Sequence, residues 1–427
     1  MQQTEHVDSY YAATSHTQTA YPTLTDAITA DVCIIGGGFT GVNAGLELAQ
    51  RGVKAIVLEA VRVGFGASGR NGGQIINGYS RALDVISQRY GGQAGRAIAS
   101  MAREGGDIIR GRMAKYNIQC DLKSGGIRAS VNHAQFRGLA HQVKVWQSYG
   151  FEDGLELLDQ NALCQHVKSN RYVGGLIDHY GGHLHPLNLV QGEAAAFASL
   201  GGVIYENSPV LSVGFGDIVT VKTALGEVKA KTLLVCGNAY LQNILPALET
   251  QIMPVSSQVL VTETLGDIAT HLLPTDMCVE DCNYIMDYFR RTADNRILYG
   301  GGVVYGGQDS ASLKARVLPL LHKTFPELKE TRIDYAWSGN FALTLSRFPQ
   351  MGRLTPNIYF AHGDSGHGVT TMHLLARILA EAVTGDTQRF EVFANLPFFP
   401  FPGGQKLRVP LTVIGSWWYR FRDIMGL

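Results

Sequence analysis

Between Asp31 and Glu59 a strand, a glycine turn, a helix and a second strand follow one another without a break, and no other stretch limits this chain's fold as tightly. Val32-Cys33-Ile34-Ile35 is an apolar run suited to a buried parallel strand, and Gly36-Gly37-Gly38-Phe39-Thr40-Gly41 fits G-x-G-x-x-G directly after it. In such a turn Gly36 permits the sharp bend, Gly38 lets backbone N–H groups approach a pyrophosphate, and Gly41 lets the helix pack closely on the strand. The unpaired N–H groups and aligned dipoles of the helix start then face an anion. The pattern predicts a helix to about Arg51, a stop at Gly52, and a second strand from Val53 to Leu58 that ends at Glu59. A carboxylate there accepts hydrogen bonds from both ribose hydroxyls of an adenosine and repels an added 2′-phosphate. Strand, glycines, helix and an acid about 20 residues on together predict an adenine dinucleotide site.

The chain has 427 residues, 45% of them hydrophobic, enough for a large core divided between two structural units. Its 36 basic and 36 acidic residues balance without a basic run, which argues against a nucleic-acid partner. Six cysteines are scattered, and Cys33 and Cys236 sit in apolar runs as small core residues of a reducing compartment. Cys278 and Cys282 are only loosely zinc-like in spacing and have no second pair, so no metal is expected. The first thirty residues lack an apolar signal region, and no apolar run reaches the ~18 residues of a membrane span. A soluble cytoplasmic protein is expected.

Residues 1–30 read as an extension anchored on the body by Tyr10, Tyr11 and Tyr21. After Glu59, the stretch Arg62 to Gln74 is rich in glycine and small polar residues and fits neither a helix nor a regular strand. It reads either as a flexible surface loop or as backbone wrapped around a flat ligand, with Ser68 and Arg70 available for phosphate or ring contacts. Residues 81–170 read as interrupted helices, including His133 to Tyr149, and Tyr172 to Asp178 is a strand candidate. Pro186 opens a helix to about Leu200. His183 and His185 just before it are read as solvent-facing or substrate-lining rather than metal ligands, since no third ligand follows at metal spacing.

Val203 to Glu206 is a short strand, Ile218 to Thr223 and Val228 to Ala230 form a hairpin, and Thr232 to Cys236 is a further parallel strand ending at Gly237-Asn238. Beyond Pro254 the pattern turns antiparallel, with strands near Gln258 to Glu263, Tyr284 to Arg291, Ile297 to Val304 and Arg332 to Gly339, plus a helix from Ser312 to Phe325. The strand Asn357 to Ala361 then leads through Gly363-Asp364-Ser365-Gly366-His367-Gly368-Val369-Thr370 into a helix to about Val383, repeating the opening logic. Gly363-Asp364-Ser365-Gly366 also matches a serine-protease nucleophile loop, but the strand-turn-helix context is wrong for that all-β fold. In the tail, Ile414, Trp417, Trp418, Phe421 and Met425 recur at helical spacing, for packing on the body, a subunit contact or a membrane surface.

Taken together, the βαβ unit with Glu59, the loop Gly66-Ala67-Ser68-Gly69-Arg70-Asn71-Gly72-Gly73, the Val235-Cys236-Gly237-Asn238 turn and Ser365-Gly366-His367-Gly368 resemble the FAD-dependent oxidoreductases of the D-amino-acid oxidase and sarcosine oxidase superfamily. The segments Gly182-His183-Leu184-His185-Pro186, Leu343-Thr344-Leu345-Ser346-Arg347 and Phe399-Pro400-Phe401-Pro402 resemble, more narrowly, its bacterial γ-glutamylputrescine oxidases. The resemblance implies an α/β chain of α+β two-domain type: a Rossmann-like FAD-binding domain and an antiparallel-sheet substrate domain. Residues 31–95, 180–245 and 345–390 would form the first, 96–179 and 246–344 the second, and 391–427 a C-terminal tail.

It further implies noncovalent FAD held by Gly36, Gly38, Phe39, Thr40, Gly41, Glu59, Ala60 and Arg62. The loop contributes Gly66, Ala67, Ser68, Gly69, Asn71, Gly72, Gly73 and Gln74, and the later turns Val210, Cys236, Gly237, Asn238, Gly366, His367, Gly368, Val369 and Thr370. Tyr288, Arg290, Trp337, His183 and His185 are the candidate substrate surface, and His367 and Trp337 the candidate catalytic groups, each equally readable as ordinary packing. The implied activity is oxidative deamination of γ-glutamylputrescine, with O₂ reoxidising the flavin to give hydrogen peroxide. The alternatives are a flavin dehydrogenase feeding a quinone or acceptor protein, its tail touching the membrane, and a non-catalytic flavin-binding subunit.

Overall fold

The central strand Ala27–Ile35 pairs in parallel with Glu227–Val235 on one side and Ala55–Leu58 on the other. In this computed structural model, which describes residues 5–16, 19–241, 244–307 and 312–425, it anchors a sheet ordered Gln350–Thr355, Ile358–His362, Glu227–Val235, Ala27–Ile35, Ala55–Leu58, Val203–Tyr205. Side chains alternate across it as a two-residue period requires. Val32, Ile34, Val57 and Leu234 point into a core shared with the helices Phe39–Gln50, Pro186–Ser199 and Gly368–Val383, whereas Cys33, Ile35, Ile56, Leu58, Leu233 and Val235 pack on the opposite face. The sequence reading splits Val228 to Ala230 from Thr232 to Cys236. They are one continuous strand, which pairs antiparallel with Val219–Lys222 at its start and parallel with Ile358–His362 at its end.

The second sheet runs Ile333–Thr344, Ile252–Thr262, Ile297–Tyr305, Tyr288–Arg291, Cys278–Asp281, Lys123–Ser130, Gly174–His183, Gln74–Ile75, with Leu155–Asp159 beside Gly174–His183. It is antiparallel except where Cys278–Asp281 runs parallel to Lys123–Ser130. The helix Leu313–Thr324 covers one face, burying Val317 and Leu321 with Phe289 and Tyr299. Lys123–Ser130, Leu155–Asp159 and Cys278–Asp281 are strands that the sequence reading does not foresee. Gln74, which that reading places in the flavin loop, joins this sheet together with Ile75, and the expected boundary at residue 180 falls inside the strand Gly174–His183.

The N-terminal extension is tied to the second sheet. Tyr10 and Tyr11 lie buried in a helix Tyr10–Ala13 capped by Ser9. Tyr10 Oη donates to Asp294 Oδ1 at 2.8 Å, and Arg290 Nη2 donates to Tyr11 Oη at 3.0 Å. At the other terminus the helix Gly404–Met425 leaves Ile414, Trp417 and Trp418 exposed, while the expected stripe residues Phe421 and Met425 have side chains outside the described residues. Among the described residues, no helix is long and apolar enough to cross a membrane.

Candidate active site

The carboxyl ends of the parallel strands open into a cavity of about 2640 Å³, counted with its mouth, whose far wall is the second sheet. Two helix starts face it: Gly38, Phe39 and Thr40 from one, Gly368, Val369 and Thr370 from the other. The geometry around the first is tight. A Cβ on Gly41 would lie 1.9 Å from the Gly36 carbonyl oxygen, so only glycine lets the helix start this close to its strand.

Glu59 stands at the strand end that the motif requires. Its Oε2 accepts from Gly37 N–H at 2.6 Å and its Oε1 from Val61 N–H at 3.0 Å, fixing the carboxylate at the cavity wall. Burial pushes its pKa up, and those N–H groups pull against the rise. The glycine-rich loop is docked rather than free, for Ser68 Oγ accepts from Phe39 N–H at 2.8 Å and Asn71 Oδ1 from Gly73 N–H at 2.8 Å. Asn238 bridges the two later turns, donating to Asp364 Oδ1 at 2.7 Å and accepting from Gly363 N–H at 2.9 Å.

Behind the cavity a buried polar network ties both helix starts together. Asn43 donates to the Phe39 carbonyl at 2.7 Å and to Glu193 Oε2 at 2.8 Å. His373, bonded to the Val369 carbonyl, meets Glu193 Oε1 at 2.9 Å. Arg112 joins Glu47 to the same network.

At the other end of the cavity are His367, Tyr284, Tyr288, Tyr305, Phe341 and Arg347. Burial lowers the His367 pKa to about 4, so its imidazole is neutral at pH 7, and its buried Nδ1 has no hydrogen-bond partner. Tyr288 Oη lies 3.2 Å from Ser257 Oγ, and burial pushes the phenol up to about 12. The ring fits only because Gly72 and Gly300 flank it, since a Cβ on Gly300 would approach Tyr288 Cζ to 2.0 Å. Among the described residues, three non-glycine positions with positive φ line this cavity, namely Asn238, Arg347 and Ser365. Such backbone costs roughly 1–3 kcal/mol per residue and collects where a site dictates conformation.

Most of the cofactor residues expected from sequence line this one space, but Gly41, Arg62, Gly69 and Gly73 stand behind it. Gly41 and Gly69 serve close packing, and Arg62 is committed to Glu206 at 3.1 Å. Of the expected substrate residues only Tyr288 lines the cavity. The proposed anchor Arg290 is corrected to a strut: its guanidinium donates to the Gly72 carbonyl at 2.8 Å as well as to Tyr11. Trp337 is 3% exposed, donates Nε1 to the Arg70 carbonyl at 2.9 Å and does not line the cavity. His183 Nε2 bonds the Asp276 carbonyl at 2.7 Å, and His185 Nδ1 caps its helix by accepting from Asn188 N–H at 3.1 Å. Both are buried side chains on which the structure depends. Sequence reasoning misses Arg347, Tyr284 and Tyr305; Arg347 stands in a segment singled out only for family likeness.

The cavity's chemistry suits an extended dinucleotide carrying an electron-rich ring. Two helix starts offer N–H groups to anionic centres, the Glu59 carboxylate can accept from hydroxyls, and the orphaned Nδ1 of His367 awaits a partner. The chain belongs to the FAD dependent oxidoreductase family (DAO), which matches residues 31–382, and FAD is its cofactor. It is 52% identical over 426 residues to the γ-glutamylputrescine oxidoreductase of Escherichia coli K12, an alignment spanning 99% of this chain and 100% of that relative. Among solved structures, the L-proline dehydrogenase of P. horikoshii superposes with a TM-score of 0.70 at 21% identity, covering 84% of this chain and 94% of its own. The glycine oxidase of Geobacillus kaustophilus does so with 0.69 at 19% identity, covering 87% and 96%. These two structures show the shared fold.

Proposed function

We propose that this protein oxidises the terminal amine of γ-glutamylputrescine to the aldehyde, releasing ammonia and passing the electrons to O₂ as hydrogen peroxide. Water supplies the aldehyde oxygen. The observation that carries the reading is the 52% identity, end to end, with a γ-glutamylputrescine oxidoreductase. When bound, FAD supplies the two-electron oxidation of the carbon that carries the nitrogen. The helix starts at Gly38 and Gly368 and the Glu59 carboxylate hold the dinucleotide in this reading.

The chain's own residues prepare the amine. A wall of Tyr284, Tyr288, Tyr305 and Phe341 excludes water and disfavours an ammonium, so the substrate nitrogen reacts in its neutral form. His367 lines the same space and faces that nitrogen. With a pKa near 4 it does so as a neutral group. Among the described residues, Cys236 is the one cysteine lining the cavity, and burial raises its thiol to about 12, which supports noncovalent rather than thioether-linked FAD. All six cysteines are free, in keeping with action in the cytoplasm.

The test is anaerobic bleaching of the flavin absorbance by γ-glutamylputrescine, putrescine and sarcosine, followed by admission of air and a peroxide assay. Rapid bleaching by the first compound with peroxide on reoxidation is the expected result. Bleaching with dye reduction but no peroxide would make the protein a dehydrogenase, and no bleaching by any of the three would remove the amine reading.

A further inference from the structure

A second cavity, about 630 Å³ counted with its mouth, adjoins the first, and Ile76 and Glu280 line both. Its ionisable groups come in balanced signs: Arg81 and Arg128 against Asp178 and Glu280. Arg128 Nε lies 2.8 Å from Glu280 Oε1, Nη2 2.7 Å from the same oxygen, and Nη1 3.0 Å from Gln142 Oε1. Each terminal nitrogen of a guanidinium carries two N–H groups, so both retain one more donor. Asn77 is 7% exposed and donates Nδ2 to Asp178 Oδ2 at 2.8 Å, which fixes its amide orientation. Its Oδ1 is buried and has no partner.

We infer that this side chamber binds the zwitterionic α-amino-acid end of the substrate, carboxylate on Arg128 and ammonium between Asp178, which Asn77 holds, and Glu280, while the reacting amine lies in the main cavity. The inference rests on the γ-glutamylputrescine reading and deepens it. A plain diamine would bring two positive charges to a chamber that already holds two arginines, and a simple anion would confront its two carboxylates. An α-amino acid presents one charge of each sign. Arg347 in the main cavity is the rival anchor, but it lies over the Tyr284 ring at 4.1 Å, and apart from Glu280 on the shared wall the acids lining that cavity are held by backbone and amide donors. Glu59 holds Gly37 and Val61, and Asp364 holds Asn238, Ala342 and Gly366. Glu280, on the shared wall, is where the two spaces meet.

The experiment compares γ-glutamylputrescine with glutarylputrescine, which lacks the α-amino group, and N-acetylputrescine, which lacks the whole amino-acid end. The variants are Arg128→Gln, Arg128→Gln/Glu280→Gln, Asn77→Leu and Arg347→Gln. The double variant leaves no lone buried charge and guards against a folding failure. Arg128→Gln should raise KM for γ-glutamylputrescine about 10- to 100-fold with little change for N-acetylputrescine. Asn77→Leu, which releases Asp178, should penalise γ-glutamylputrescine but not the glutaryl compound. Calorimetric binding of γ-glutamyl-n-butylamide, which has the head group but no reacting amine, should weaken by the same factors.

Equal effects on all three substrates, or selective loss in Arg347→Gln but not in Arg128→Gln, would overturn the chamber assignment while leaving the amine oxidase reading intact. Failure of wild-type enzyme to oxidise γ-glutamylputrescine would overturn both.

Discussion

Replacing Glu59 by glutamine separates the residue's structural duty from its duty to the cofactor. The carboxylate accepts two backbone N–H groups, from Gly37 at 2.6 Å and Val61 at 3.0 Å. Glutamine keeps one acceptor oxygen and turns an NH₂ group toward the other donor, so one charge-assisted bond is lost, about 1.5–3 kcal/mol of apoprotein stability. If the same carboxylate also receives ribose hydroxyls, FAD binding loses a comparable increment, about a 10- to 150-fold rise in Kd. Apoprotein of both forms would be titrated with FAD by quenching of flavin fluorescence, and each melted with and without FAD. A melting temperature that falls in the apoprotein while the FAD Kd stays within about twofold of wild type would refute the cofactor contact and leave Glu59 as a brace for the glycine turn.

Arg290→Ala should lower stability by about 3 kcal/mol, because the Gly72 carbonyl and Tyr11 lose their buried donor; the ratio of KM values for γ-glutamylputrescine and putrescine should stay unchanged. Glu193→Ala strips a fully buried carboxylate from Asn43, Arg112 and His373, and should cost about 3–5 kcal/mol in denaturant unfolding with FAD present. Stability should also fall in acid. Burial holds His185 at about 3, His362 at about 3 and His367 at about 4, whereas each titrates near 6.5 when unfolded. Below pH 6.5 the unfolded chain therefore binds more protons, so the contribution is constant above that value and destabilises progressively toward pH 4. Melting temperatures across this range check the sign, and a protein more stable at pH 5 than at pH 7 would contradict it.

The parts of the site set by local geometry are legible in the sequence. Gly36 to Gly41 and Glu59 announce themselves because steric closeness and ribose chemistry leave few alternatives, and Gly368 to Val383 repeats the same logic at the far end of the chain. What escapes is set by partners distant in sequence. Lys123-Ser124-Gly125-Gly126-Ile127-Arg128-Ala129-Ser130 has little strand propensity, yet it is a strand because Gly174–His183 and Cys278–Asp281 pair with it on either side. Arg290 has the composition of a substrate anchor, an arginine beside tyrosine and phenylalanine, but its position relative to Gly72 and Tyr11 exists only in the folded chain. Arg347 is the converse case: no local feature shows that its left-handed backbone carries it to the cavity.

The strand Ala27–Ile35 finds neighbours at Ala55–Leu58 early in the chain but waits about two hundred residues for Glu227–Val235, and Tyr10 waits for Asp294, 284 positions away. The second helix start facing the cavity arrives last, at Gly368. On a ribosome moving at roughly 5–20 residues per second, the dinucleotide cradle stays open for much of synthesis, its apolar strands unpaired along one edge. The cofactor thus has no complete binding place before the chain is nearly finished, so nascent chains released early should emerge colourless and prone to aggregate, and FAD uptake marks the completion of the whole sheet.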